Sequence, residues 1–447
     1  MPLSRLPTEI IPHITCYLPH PSIISASLVC RAWRLVLLRT LYHSVKIVDD
    51  SHAVHFANTI TSGGVAGLSH HISGLINTLR IGPRVSWKTY PWIEFAVLEP
   101  CITHLVQLRR FRCYNILSAN INVNVEFFRL VQTQCPLLES VKLRIAEDAV
   151  SQVGPSQLTT LFGFRNLVNY SLLIKYFLWE INKETLAPLK TLVANCPNLE
   201  SLKLDFFPGN NGPKVTYDLD VLPDLFGQDI TIPHLHTLHL CGRVEMRIDS
   251  LVGPPATGLY RFHDFLSQHP RIRYLKLECF GIDNLYTDRD VHPDYLGQAL
   301  PSLTRCSVPN SICVYLVRST VATHLEQLEI QRGPRELELT FEALPMPMLQ
   351  KLEIEAFSFV ELLNVMKQIL PVARGLKHLI SKAIPKTDTD HSEFLELLVH
   401  VPGLQTIRID HPHHVSEKFV EKIKTMYPKI DIFTRQPERI LAEWAKN

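Results

Sequence analysis

Apolar residues recur along the chain in a short pattern, often Pro-x-Leu-x-x-Leu-x-Leu, each time preceded by an amphipathic stretch. Two copies are nearly identical, CPLLESVKL at 135–143 and CPNLESLKL at 196–204. Weaker copies are IPHLHTLHL (232–240), HPRIRYLKL (269–277), LPSLTRCSV (300–308), MPMLQKLEI (346–354) and VPGLQTIRI (401–409). Aligned on the first apolar position, the series is Ile76, Leu108, Leu138, Leu167, Leu199, Leu235, Ile272, Leu303, Leu325, Leu349, Leu376 and Leu404, a mean step of roughly 30 residues. The Leu-x-Leu ends alternate with the period of a strand. EFFRLVQTQ (126–134), ETLAPLKTLVANC (184–196), HSEFLELLVH (391–400) and SEKFVEKIKTMY (416–427) instead carry an apolar stripe at helical spacing. A step of that length holds one short strand, one helix and their loops, so the pattern predicts an α/β solenoid. A solenoid of helices alone is the weaker expectation, because the repeat ends are rich in strand-compatible residues. Tyr42–Ile47, YHSVKI, fits the same strand pattern and is the expected first rung.

Ahead of that rung, residues 6–18, LPTEIIPHITCYL, place Ile10, Ile14 and Leu18 on one helical face, with Pro7 at the start and Glu9 in the first turn. Pro12 would bend or fray this helix. Pro19 and Pro21 stop it, Ser22–Leu28 supplies a second helix, and VCRAWRLVLLRTL (29–41) a third. The third has Val29, Trp33, Val36 and Leu37 on one side and Arg31, Arg34 and Arg39 mostly on the other. Three short helices bury too little surface to stand alone and need neighbouring structure or a partner.

The ordered set Leu6, Pro7, Glu9, Ile10, Leu18, Leu28, Val29, Cys30 and Trp33 resembles an F-box over about 40 residues. The resemblance implies docking to the Skp-type adaptor of Skp-cullin-F-box ubiquitin ligases, and through it to a cullin, with these residues as the contact set. The array that follows lacks the asparagine ladder of the most regular leucine-rich repeats, and its steps run from the short Leu303–Leu325 to the long Leu235–Ile272. The whole chain thus resembles F-box proteins with leucine-rich repeats. The expected architecture is a three-helix F-box (1–43), an irregular leucine-rich-repeat horseshoe of about 12–13 repeats (44–436) and a helical tail (437–447).

Strand side chains alternate, so the residue between the two inward apolar positions faces the concave side. Along the array that position reads Lys46, Arg80, Arg112, Lys142, Ser171, Lys203, His239, Lys276, Ser307, Glu329, Glu353, Ile380 and Arg408. The early part is mostly basic. Arg80, Arg112, Lys142, Lys203, His239 and Lys276 are therefore candidates for holding an acidic or phosphorylated client segment, although charged water-facing strand positions are also ordinary. Asp205 and Glu278, two residues beyond Lys203 and Lys276, partly neutralise them. Phe206, Phe207 and Tyr217, in the longest insertion, are secondary candidates for recognition or for packing under their own loop.

Composition narrows the remaining options. The 447 residues are 46% hydrophobic and 20% charged, with a formal net charge of +2. This balance argues against a dedicated nucleic-acid binder and against a disordered chain. Ten cysteines include no CxxC pair, so zinc ribbon and thioredoxin motifs are absent and free thiols in the cytosol or nucleus are expected. No basic-apolar leader or spanning run stands out. The GGxxG within Thr61–His71 lacks a dinucleotide fingerprint and reads as a turn, and the cluster His411–His414 has no metal-ligand spacing. No catalytic motif, metal or cofactor is expected, and the resemblance implies a non-catalytic substrate-recognition adaptor. A ligase-independent leucine-rich scaffold or inhibitor is the alternative.

Overall fold

The computed structural model describes residues 10–15, 17–61, 72–82, 93–114, 121–146, 155–177, 183–208, 217–226, 231–247, 251, 261–283, 292–332, 342–356, 358–383, 387–410 and 417–434. Contacts divide the chain into two units, Met1–Leu173 and Ile174–Asn447. Leu6, Pro7, Glu9, the glycine-rich joint, His411–His414 and the tail at 437–447 lie outside the described residues.

The first unit opens with three helices, α1 (Ile10–Thr15), α2 (His20–Ser27) and α3 (Arg31–Tyr42). The amides of Tyr17 and Leu18 bond back to the carbonyls of Ile14 and Thr15, closing α1 in a tight turn ahead of Pro19. Extended residues, Pro19 and Cys30, precede α2 and α3. Trp33 and Leu37, one turn apart on α3, meet Ile11 and Ile23 in a small core flanked by Leu18, Ala26, Cys30, Val36 and Leu41. One residue, His43, then separates α3 from the first strand.

The strands β1 (Ser44–Ile47), β2 (Thr78–Ile81), β3 (Arg110–Tyr114), β4 (Ser140–Ala146) and β5 (Asn169–Phe177) follow in chain order, with β5 running across the division at Leu173. Pairing is parallel, with Lys46, Arg80, Arg112 and Lys142 opposite one another on β1–β4. Helices α4 (Asp50–Thr61), α5 (Phe95–Ile102), α6 (Ile121–Gln134) and α7 (Pro155–Leu161) alternate with the strands. Phe95 of α5, Phe111 of β3 and Phe127 and Phe128 of α6 form an aromatic cluster at centroid separations of 4.9 to 6.2 Å. Such pairs contribute roughly 0.5–1.5 kcal/mol beyond the area that they bury.

In the second unit the rungs are β6 (Ser201–Pro208), β8 (Thr237–Arg247), β9 (Tyr274–Asp283), β10 (Arg305–Pro309), β11 (Gln327–Gln331), β12 (Lys351–Ile354), β13 (His378–Ser381), β14 (Thr406–Ile409) and β15 (Asp431–Thr434), while the two-residue β7 (Tyr217–Asp218) pairs beside β8. Its helices are α8 (Lys183–Leu186), α9 (Leu189–Asn195), α10 (Leu222–Phe226), α11 (Arg261–Ser267), α12 (Pro293–Ala299), α13 (Asn310–Val317), α14 (Phe359–Ile369), α15 (Asp388–Leu398) and α16 (Glu417–Met426). Each unit is therefore a stretch of parallel α/β solenoid. Among the described residues the rungs number fourteen, one more than the expected series supplies. The unanticipated rung is β15. Its segment Tyr427-Pro428-Lys429-Ile430-Asp431 begins the strand one residue after the first apolar position, where the other rungs take two, and so falls out of alignment.

The structure explains why the repeat has its motif. All twelve aligned apolar residues, from Ile76 to Leu404, are buried. In eight rungs of the two units the amide of the first apolar residue bonds to the carbonyl three residues back, with Pro following that carbonyl. Leu138 to Cys135, Leu199 to Cys196, Leu235 to Ile232 and Ile272 to His269 are examples at 3.1–3.2 Å. Proline, with φ preset and no amide to offer, suits the second position of such a turn. The next two amides then share one carbonyl of the preceding rung: Arg109 and Arg110 donate to Asn77, Glu139 and Ser140 to Arg109, and Lys377 and His378 to Gln350, at 2.9–3.0 Å. These forked main-chain bonds tie rung to rung where an asparagine ladder is absent. One irregularity sits between β8 and β9, where the register shifts between Cys241 and Val244 around Gly242 at φ +126°.

Candidate functional site

Two kinds of surface follow from this framework. The first is the outside of the three-helix bundle. Burial of Ile11, Ile23, Trp33 and Leu37 exhausts its inward positions, and Ile10, Ile24, Leu28, Val29 and Leu35 remain exposed, with Leu28 at 68%. Of the residues expected to form a docking surface, Ile10, Leu28 and Val29 are indeed exposed, while Leu18 and Cys30 are partly buried against the core. Trp33 is corrected: at 7% exposure it belongs to the bundle core, because α3 turns the same face that carries Leu37 toward α1 and α2. Ile24 and Leu35, outside the expected set, are also exposed apolar side chains on α2 and α3.

The second is the open face of the sheet, opposite the buried strand side chains. In the first unit it carries Lys46, Arg80, Arg110, Arg112, Lys142 and Arg144. The described strand positions on this face of β1–β5 hold no carboxylate. The guanidinium of Arg80 lies 4.8 Å from the ring centre of Tyr114, two residues beyond Arg112. Strand alternation predicts this aromatic on the face, and the sequence reading passed over it. Arg109, just ahead of β3, is ion-paired with Glu139.

In the second unit the same face is mixed. Lys203, His239, Lys276, Ser307, Glu329, Glu353, Ile380 and Arg408 stand in register, as the alternation predicts. Burial and the neighbouring cations Lys203 and Lys276 push the His239 imidazole down to about 2, so it is neutral at ordinary pH. Burial also lowers the Lys203 ammonium, with Asp205 opposing. Burial pulls Lys276 down too, but Cys241, Glu329 and Glu278 together raise it above its ordinary value. Lys382 reaches Glu355 at 2.9 Å and Glu353 at 3.7 Å, and Arg408 lies 2.9 Å from Asp410. The sequence reading thus overextends the basic ladder: Lys203, His239 and Lys276 sit in a self-compensating network. Phe206, one of the loop candidates, is fully buried.

Among the described residues no three His, Cys, Asp or Glu side chains group to hold a metal ion, and no helix is long and apolar enough to cross a membrane. Burial pushes the Cys101, Cys135 and Cys313 thiols up to about 12, far from the range of an activated nucleophile.

A family model described as F-box-like matches residues 3–47. The N-terminal bundle is an F-box-like domain. The match takes in the whole of β1, so the F-box-like domain overlaps the first rung. Among solved structures, the yeast complex of Rad7 and Elc1 aligns at a TM-score of 0.41 and 14% identity, covering 97% of this chain and 97% of that one. No curated protein matches the chain by sequence. The chain thus joins an F-box-like domain to a strand–helix repeat.

Proposed function

We propose that this chain is a substrate-recognition adaptor of a Skp-cullin-F-box ubiquitin ligase, with the F-box-like domain docking a Skp-type adaptor and the repeats holding a client protein. The observation that carries the reading is the coincidence of the F-box-like match with a bundle that leaves Ile10, Ile24, Leu28, Val29 and Leu35 in solvent. A bundle with so small a core gains stability by covering such residues with a partner. Leu6, Pro7 and Glu9 belong to the same proposed contact set. The chemistry would come from the ligase's charged enzyme, and this chain would raise the effective concentration of client lysines beside it.

The test is co-purification of the 447-residue chain with a Skp-type adaptor. Replacing Leu28 and Val29 by Asp should abolish capture, since truncating central interface anchors commonly costs about 2–4 kcal/mol each. Replacing Leu6 and Pro7 by Ala should weaken capture in the same direction. If the wild-type chain captures no such adaptor, the reading fails and a ligase-independent repeat scaffold takes its place.

A further inference from the structure

The first rung is covered on one side only. Among the described residues β1 pairs with β2 alone, whereas β2, β3 and β4 each have a strand on both sides. The carbonyls of His43 and Ile47 accept bonds from the amides of the second rung, Thr78 at 2.9 Å and Gly82 at 2.8 Å. Carbonyls alternate sides along a strand, and each residue's N–H points with its own C=O, so Ser44 and Lys46 aim theirs away from β2, at the sheet's outer edge. The side chains agree. Val45 is half-buried, while Leu79, Phe111 and Val141, in register with it on the next three strands, are 0–1% exposed.

Against that edge lies a cavity of about 230 Å³. Val45, Lys46 and Ile47 of β1, Phe56 and Ile60 of α4 and Tyr42 at the end of α3 line it. Its volume is below the roughly 300–1,000 Å³ of pockets that enclose whole small ligands, and suits one large apolar side chain. An edge strand beside an apolar hole is the combination that strand addition uses. Main-chain bonds hold the added segment, and the hole selects among its alternate side chains.

We propose that the outer edge of β1 binds an extended segment of a partner protein as an added strand, paired to the main chain of Ser44 and Lys46, with a large apolar side chain seated in the cavity between β1 and α4. Alternation turns the residues on either side of that apolar one toward the open face, beside the exposed Lys46, where a carboxylate pairs across the strands. The segment's chemistry is therefore an alternation of apolar and acidic residues. The site is separate from the exposed apolar residues of the three-helix bundle and goes beyond the adaptor reading.

The probe is a fluorescein-labelled peptide, Thr-Val-Glu-Phe-Glu-Val-Thr, whose side-chain order is the same in both directions and so suits a parallel or an antiparallel strand. Titration with the 447-residue chain should give a saturable rise in anisotropy. Replacing the central Phe by Ala, or methylating the peptide's main-chain nitrogens, should weaken binding at least about tenfold. Lys46→Pro removes an N–H that β2 does not use and blocks the edge; it should cost at least about tenfold, while Lys46→Ala, which keeps the N–H, should stay within about threefold of wild type. A thermal melt checks that Lys46→Pro folds. Thr59→Trp crowds the cavity from its α4 wall and should also weaken binding about tenfold. No saturable binding by the wild type, or unchanged binding by the folded variants, overturns the assignment. So does displacement of the probe by phenylpropionate at about tenfold lower concentration than by unlabelled peptide, which reassigns the cavity to a free acid. A dimer in sedimentation that Lys46→Pro dissolves overturns it too, by giving the edge to a second copy of this chain. The titration contains no Skp-type adaptor, so its failure leaves the capture result standing, and the reverse holds too.

Discussion

Gly242 shows how much one position can decide. A Cβ built there would lie 1.9 Å from the Phe206 carbonyl oxygen, and φ is +126°, so both space and backbone require glycine. Gly242→Ala should cost at least about 2 kcal/mol, read as a lowered Tm. Nothing local in CGRV marks that residue as special, because the constraint comes from the neighbouring rung; this part of the fold was not legible in the sequence. His239 is a second case. Its place on the open face follows from alternation alone, but its burial between Lys203 and Lys276 does not. With its folded value near 2 against an ordinary 6.5, the unfolded chain takes up a proton first as pH falls. Stability conferred by this group is therefore complete above about pH 6.5 and declines below it, by up to about 1.4 kcal/mol per pH unit. Denaturant titrations of wild type and His239→Gln at pH 7.5 and at pH 5.5 should show the wild type losing more stability over that interval. Equal losses would mean that the imidazole is not shielded.

At the scale of elements, α3 has apolar side chains on two faces. Trp33 and Leu37 build the core, and Leu35, beside the exposed Leu28 and Val29 that precede the helix, remains outside. Trp33→Ala should cost about 3–5 kcal/mol and lower the bundle's own stability, so it is a poor probe of docking. Leu28→Ser should change stability by less than about 0.5 kcal/mol and still weaken adaptor capture, a separation that thermal melts and co-purification read together. The helical stripe in VCRAWRLVLLRTL revealed that such a helix exists, but an apolar residue on a short helix can serve core or contact, and only packing tells which. The rungs were more legible. Their Pro-turn-Leu motif records a local hydrogen bond, and local bonds leave regular spacing in a sequence. The rung at β15 escaped because one residue is missing between its turn and its strand.

For the whole chain, the repeat explains why so much could be read ahead of the structure. Each interior rung is stabilised by its two neighbours, so the pattern of buried positions repeats and can be aligned. Charge does not repeat in that way. The basic row of β1–β4 was visible as letters, while the compensation that removes Lys203 and Lys276 from it depends on carboxylates from Asp205 to Glu355, brought near across strands. The same neighbour dependence predicts a gradient of opening within the second unit. Among the described strands β15 pairs with β14 alone, whereas β13 is paired on both sides. Hydrogen exchange should therefore be faster at 431–434 than at 378–381, and uniform protection across these strands would contradict nearest-neighbour stabilisation.

The single residue between α3 and β1 has a mechanical result. His43 offers its carbonyl to the amides of Asn77 and Thr78, at 3.1 and 2.9 Å, so the joint is itself part of the forked ladder. A loose tether would let cargo sweep a volume set by chain entropy. Here the bearing from the F-box-like helices to the β1–β4 face is set by main-chain geometry, and reach becomes a matter of counting. Each rung inserted between them would carry that face about 4.8 Å farther, as on a ruler, without altering the helices.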